Sequence, residues 1–578
     1  MAENSADPRS GTQPGDGPDT RTIVAALGAR ARLGLDEAEL EKLSEYVVDS
    51  WDMADRLRDV ATPGYEGRSA DLPLRAAYAN RTDDRPSVAP AVAAGSGAGS
   101  QPRPVPPAVV EAGLIAAARG IASGRFTPVD LVSAQLKRIE AHDWAVRSYI
   151  TVDAEGALAT AAALGAELSE SGPRSPLHGI PFGAKDSIPA TGMPCTYNSP
   201  LTRDWVPSRD SESIRRLRAA GAVLVGKHNL NEFGWSLPRE DDLAPPPRNP
   251  WLPEEYSVGS SSGGGAAVAA RLATFAIGTD GGGSARLPAG QHLLHGLKPG
   301  HHRAPPQGVT EGRVSEVSVL AREAEDVAAV FAALLIDPDV DNARERLRRE
   351  PTRWIEYVGQ APSGLRIAVP AGYVEDVGME PDVQRAFDAT RRAVEELGHE
   401  LVELSRPALN ILHDAVRANF VVIAAEHYFD HEGPGKDRGR YGVSAGFYNL
   451  PGACLSAADY LHALRVGELV RDEIDVVLGD VDMILTPTSP VTRTTTARNP
   501  KTHRRGGNAA YTSPFNISGH PGVSLPVGLS DEGMPIGMQL IGRRESEFDL
   551  LRAARALSGT FTLPAYPDLD RTAAVARG

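Results

Sequence analysis

The stretch GTDGGGSARLPA, residues 278–289, runs three glycines straight into a serine. Without side chains at Gly281, Gly282 and Gly283, backbone N–H groups can converge on one point unobstructed. Converging N–H groups stabilise a developing oxyanion, by roughly 3 kcal/mol per donor in known sites. The adjoining Ser284 hydroxyl could then attack a carbonyl. The plainer alternative is a tight turn holding a buried serine.

A nucleophilic serine needs a base, and two further segments bear on it. GSSSG, residues 259–263, matches G-x-S-x-G and would make Ser261 an elbow nucleophile served by a later histidine. The helix-like GGAAVAARLA that follows suits an elbow. The preceding PEEYSV is a poor strand, however, and no Asp/His pair announces itself among the 14 histidines. The second segment is HGIPFGAKDSIPATGMP, where Lys185 closes an apolar, strand-like run. Burying an ammonium is costly, so a lysine enclosed there would shed its proton and act as a base near neutral pH. A solvated Lys185–Asp186 pair is the alternative.

The elements that must position these residues alternate along the chain. TPVDLVSAQLKRIEAH reads as a helix with Thr127 as N-cap and Pro128 at its first position. IRRLRAAGAVLVGK reads as helix, a stop at Gly221, then strand. GLRIAVP is a strand, followed by a helix with Val383, Phe387, Thr390, Val394 and Leu397 on one face, a stop at Gly398 and another strand. SAADYLHALRVGELVRDEIDVVLG followed by DMILTP repeats the pattern. This alternation predicts an α/β core, helices covering a sheet. Long connections at 234–258, 299–317, 429–451 and 491–511 are candidate pocket walls. Residues 1–20 read as a disordered tail and 21–85 as a helical region, with Leu40, Leu43, Val47, Trp51 and Ala54 along one face. That face either packs on its neighbour or serves binding and oligomerisation, a homodimer included. Residues 86–107, rich in Pro, Gly, Ala and Ser, read as a linker, and 108–572 as the main domain.

Bulk properties narrow the partners. Of 578 residues, 60 are Lys or Arg and 75 Asp or Glu, a net charge of −15. That opposes extended contact with nucleic acid or an anionic membrane. Two cysteines supply neither a disulfide framework nor a CxxC zinc site. With no signal sequence at MAENSADPRS and no bilayer-length apolar run, the chain reads as cytoplasmic.

Taken together, the three segments resemble the amidase signature family, the Ser–cis-Ser–Lys hydrolases. The resemblance covers roughly residues 108–560 and includes SRDSESIRRLRAAGAVLVGKHNLNEF, RNPW, HGLKPG, DMILTPTSP and PFNISGHPGVSLPVGLSDEGMPIGMQLIGRRESEFDLLRAA. It implies a large α/β/α core around a mixed twisted sheet, with a small N-terminal helical extension. It implies Ser284 as nucleophile, Ser260 as the bridging serine after a cis Gly259–Ser260 bond, and Lys185 as base. Oxyanion donors would be the amides of Gly281, Gly282, Gly283 and Ser284. Ser261 would help hold the lysine, and Thr279, Asp280 and Arg286 would buttress the loop. No cofactor or metal is implied, and the substrate would be a small-molecule carboxamide or N-acyl amide. Acyl transfer to an amine, the glutaminase component of a tRNA-dependent amidotransferase, and a catalytically silent binding protein are alternatives on the same fold. Departures from the family pattern fall at Val258, Ala285, the stretch 291–302, and Asn198, which stands near the expected substrate pocket.

Overall fold

The computed structural model describes residues 113–577 apart from 237, 241, 306–311, 406–407, 433–450 and 494–506, together with residue 110 and scattered positions between 21 and 60. The expected tail at 1–20 and linker at 86–107 lie outside the described residues.

Eleven strands among the described residues form one mixed sheet. They are β1 (Tyr149–Val152), β2 (Pro181–Lys185), β3 (Val223–His228), β4 (Phe275–Asp280), β5 (His295–Lys298), β6 (Glu316–Ala321), β7 (Arg366–Val369), β8 (Glu400–Glu403), β9 (Met483–Pro487), β10 (Gly522–Leu529) and β11 (Pro535–Gly542). Their order is β1-β3-β2-β4-β6-β5-β10-β11-β9-β7-β8. β2 is parallel to both β3 and β4, while β4 runs antiparallel to β6. Strands β2, β3 and β4 are buried along their whole length, as strands covered on both faces must be.

The helices begin where the sequence places them. Thr127 caps α1 (Pro128–Val146) through a capping box, its hydroxyl accepting from the Asp130 N–H and Asp130 answering the Thr127 N–H at 2.8 Å. α2 (Glu212–Ala219) ends before Gly221, whose φ of 91° is the left-handed conformation glycine tolerates. Gly221 leads into β3. Five more helices matter to the site: α3 (Ser262–Ala269), α4 (Arg286–Gly290), α5 (Leu412–Glu432), α6 (Ala457–Asp480) and α7 (Pro514–Ile517). α5 enters the connection expected at 429–451, of which residues 433–450 lie outside the described set. The described residues from 41 to 57 are helical, with Val47, Ala54 and Leu57 buried and Glu41, Val48 and Arg56 exposed. Ala54 and Leu57 belong to the same apolar cluster as the sheet and α5. The final described helix, Leu569–Arg577, continues beyond residue 572. Among the described residues, no helix is long and apolar enough to cross a membrane.

Candidate active site

Parallel pairing of β2 with β4 brings their C-terminal ends together, and the candidate residues Lys185 and Thr279 meet there. Lys185 is the last residue of β2 and is 1% exposed. Its Nζ lies 2.8 Å from Ser260 Oγ and donates to Thr279 Oγ1 on the neighbouring strand. Asp186 turns elsewhere. Its Oδ1 takes Lys227 Nζ at 3.1 Å, with both side chains fully buried, and its Oδ2 accepts from Thr196. Burial pushes the Asp186 carboxyl up in spite of the Lys227 charge beside it. The solvated Lys185–Asp186 pair is therefore not what forms.

Ser260 follows a cis peptide bond at Gly259–Ser260. A Cβ added at Gly259 would stand 2.1 Å from Asn231 Oδ1, so a larger residue there would have to displace the Asn231 side chain. Ser261 ties the two halves of the site. Its N–H donates to the Ser284 carbonyl at 3.0 Å. Its hydroxyl donates to the Thr279 carbonyl at 3.2 Å and accepts the Thr279 N–H at 3.3 Å. A hydroxyl engaged on strand backbone and 1% exposed does not fit the elbow nucleophile. Its hold on the lysine is indirect, through Thr279. Ser284 is the more accessible serine, half-buried at the end of the glycine run.

The glycine loop is held by its carbonyls. Asn516 Nδ2 donates to the Asp280 carbonyl at 2.8 Å, Asn419 Nδ2 to the Gly281 carbonyl at 3.0 Å, and Thr512 Oγ1 to the Gly282 carbonyl at 2.6 Å. In a trans peptide, C=O and the following N–H point in opposite directions. Anchoring these carbonyls therefore turns the N–H groups of Gly281 and Gly282 away from the anchors. Those two amides, and that of Ser284, have no acceptor among the described residues. Gly283 differs from expectation: its N–H donates inward to Asp280 Oδ1 at 2.7 Å. As built, the loop offers Gly281, Gly282 and Ser284 rather than all four amides.

Asp280 fills the buttressing position the sequence suggests. It accepts from the N–H groups of Gly283, Ala285 and Arg286 and pairs with the fully buried Arg286 guanidinium at 3.0 Å. Burial alone would raise its carboxyl, but the Arg286 charge, the Arg286 and Asn516 hydrogen bonds and the charge of Lys298 hold it well below the usual carboxylate range. Arg286 also reaches Gln539 Oε1 and Asn516 Oδ1, locking the loop to β11 and α7.

Asn198, expected near the substrate pocket, has its side chain engaged in loop contacts. It is 1% exposed, its Nδ2 donates to the carbonyls of Leu230 and Ala244, and its Oδ1 accepts the Ala244 N–H at 2.6 Å. Both polar atoms of its side chain fasten one loop to another, at a backbone φ of 56° that asparagine tolerates better than most residues. The residues sequence reasoning missed are Asn419, Thr512 and Ser513, whose hydroxyl reaches the Gly282 carbonyl at 3.2 Å. Asn516 lay within PFNISGHPG without an assigned role. α5 also sets Ile423 about one side chain away from Gly282.

The chain is similar to several known proteins. A family model described as Amidase matches residues 130–551. The chain is 31% identical over 486 residues to the A component of the glutamyl-tRNA(Gln) amidotransferase of Desulforapulum autotrophicum, covering 77% of this chain and 97% of that one. It is 35% identical over 473 residues to the component of the same name from Roseiflexus castenholzii, covering 75% and 93%. Among solved structures, the native peptide amidase of Stenotrophomonas maltophilia superposes with a TM-score of 0.66 at 25% identity, covering 80% of this chain and 99% of that one. A component of a vestigial complex connected with an s-triazine catabolic enzyme gives 0.67 at 28%, covering 78% and 98%.

Proposed function

Since the chain belongs to the amidase family and is an enzyme of amide C–N bonds, we propose that it hydrolyses a small-molecule carboxamide or N-acyl amide through a Ser284 acyl-enzyme. The observation that carries this reading is the buried contact of Lys185 Nζ with Ser260 Oγ at 2.8 Å, beside a loop stitched to Ser284 by the Ser261 N–H. In this scheme Lys185 enters neutral, as its enclosure favours. It takes the Ser260 proton while Ser260 takes the proton of Ser284. Ser284 Oγ forms its bond to the amide carbon, and the oxyanion is met by the N–H groups of Gly281, Gly282 and Ser284. Collapse breaks the C–N bond, and the proton returns through Ser260 to the leaving nitrogen. Water, deprotonated by the same relay, then releases the acid. We place the reaction in the cytoplasm, which suits a chain with two cysteines in 578 residues.

Labelling with a fluorophosphonate tests the nucleophile. The wild-type chain should label and Ser284→Ala should not, with kcat falling about 10⁴-fold or more in a protein that still folds. Labelling of the folded Ser284→Ala chain at the wild-type rate overturns the assignment. Absence of labelling in both would favour a silent binding protein. Lys185→Ala should lower kcat/KM and flatten its rise with pH, since the group that must deprotonate is gone. An unchanged profile removes Lys185 as base.

A second reading is favoured by the similarity to amidotransferase components: the amide would be that of glutamine, and its ammonia would pass to a partner. Ammonia release from glutamine, measured against a panel of acyl amides, separates the two.

A further inference from the structure

Among the described residues, Trp51 and Leu57 of the N-terminal helical segment meet the catalytic domain beside α6, and that contact leads back to the glycine loop. Trp51 Nε1 donates to the Cys454 carbonyl at 3.4 Å, and the His462 ring bonds the Leu57 carbonyl. These contacts grip both ends of the short run that opens α6. That run is pressed against α5: a Cβ on Gly452 would stand 2.1 Å from the Ala424 carbonyl oxygen and 2.4 Å from Tyr428 Cβ. Tyr460 on α6 adds a hydroxyl bond to Glu426 of α5 at 2.6 Å. Earlier on α5, Ile423 lies near Gly282 and Asn419 Nδ2 donates to the Gly281 carbonyl. The buried face of the segment is spaced as a helix docking on a partner requires, with Val47, Ala54 and Leu57 inward and Val48 outward.

We propose that the segment carrying Val47, Trp51, Ala54 and Leu57 acts as a built-in brace, an internal partner that seats α5 and thereby sets the Gly281–Gly282 peptide. Its role is positioning, since none of its described residues is bonded to Lys185, Ser260 or Ser284. The proposal rests on the reading of Ser284 as nucleophile, and its test separates the two. The partner is a segment of this same chain, joined by a Pro- and Gly-rich connection whose sequence suits a flexible tether.

The experiment uses the full chain in three forms: wild type, Trp51→Ala with Leu57→Asp, and Val48→Ala as the exposed control. Fluorophosphonate labelling rate and amide hydrogen exchange across 412–432 are read on each. The double variant should label at least about tenfold more slowly, a 1.4 kcal/mol change in barrier, and exchange faster in α5. Val48→Ala should match wild type in both. Normal labelling and normal exchange in a double variant whose residues 41–60 have become protease-sensitive overturn the brace. If wild type itself fails to label, the nucleophile assignment falls, and exchange in α5 still decides the brace. Should the double variant not fold, a protease site inserted near residue 95 of the full chain gives the second measurement. After cleavage the N-terminal piece should co-elute with the remainder and the labelling rate should persist. Separation of the pieces with an unchanged labelling rate overturns the proposal.

Discussion

Asn419 holds the glycine loop by a single carboxamide, and in the proposed reaction it would act without touching the substrate. Its Nδ2 fixes the Gly281 carbonyl, and so the direction of the Gly282 N–H on the other side of the same peptide. Asn419→Ala should lower kcat by roughly 10- to 100-fold with little change in KM, because an oxyanion donor acts mainly in the transition state. Steady-state kinetics on a substrate identified by the amide panel checks this, and an equal loss confined to KM would place Asn419 in substrate binding instead. At this scale the sequence was legible where chemistry dictates residue type. The proposed roles of Ser284, Lys185 and Ser260 admit few other residue types. The anchors were not legible. A peptide carbonyl accepts from Asn, Thr or Ser alike, and Asn419 and Thr512 stand far along the chain from the loop they hold. Asn198 misled for the opposite reason: its position near the pocket said nothing of the direction in which its amide turns.

Among the elements, the helix Leu114–Ala122 has no cap of its own, since Gly113 precedes it. Asp326, from the helix Ala324–Leu334, supplies the missing acceptor to the N–H groups of Leu114 at 3.0 Å and Ile115 at 3.2 Å. Burial pushes the Asp326 carboxyl up to about 6, against the pull of those N–H groups and the Arg322 charge. A carboxyl raised in the folded state holds its proton longer there than in the unfolded chain. Its contribution to stability is thus complete below the unfolded value and is lost as pH rises through about 6. Denaturant unfolding between pH 4 and pH 7 should show wild type losing up to about 3 kcal/mol relative to Asp326→Asn. A pH-independent difference would refute the shifted carboxyl. Helix boundaries at Thr127, Gly221 and Gly398 were readable because caps and stops are local. This borrowed cap was not, since its two halves are more than 200 residues apart in sequence.

For the whole molecule, helix–strand alternation was enough to predict an α/β core, and the sheet bears it out. The order β2 between β3 and β4 was beyond reach, because strand neighbours are chosen by long-range packing rather than by local pattern. That order is nevertheless what lays Lys185 beside Thr279. The helical face drawn through Val47, Trp51 and Ala54 was legible, but its partner was not, for an apolar stripe does not name what covers it. The pinned carbonyls at Asp280, Gly281 and Gly282 carry one more consequence. A cradle already rigid has nothing to rearrange when a tetrahedral boronate arrives. Such a mimic should seat itself in a single kinetic phase, without slow tightening, and with little entropy surrendered by the receptor.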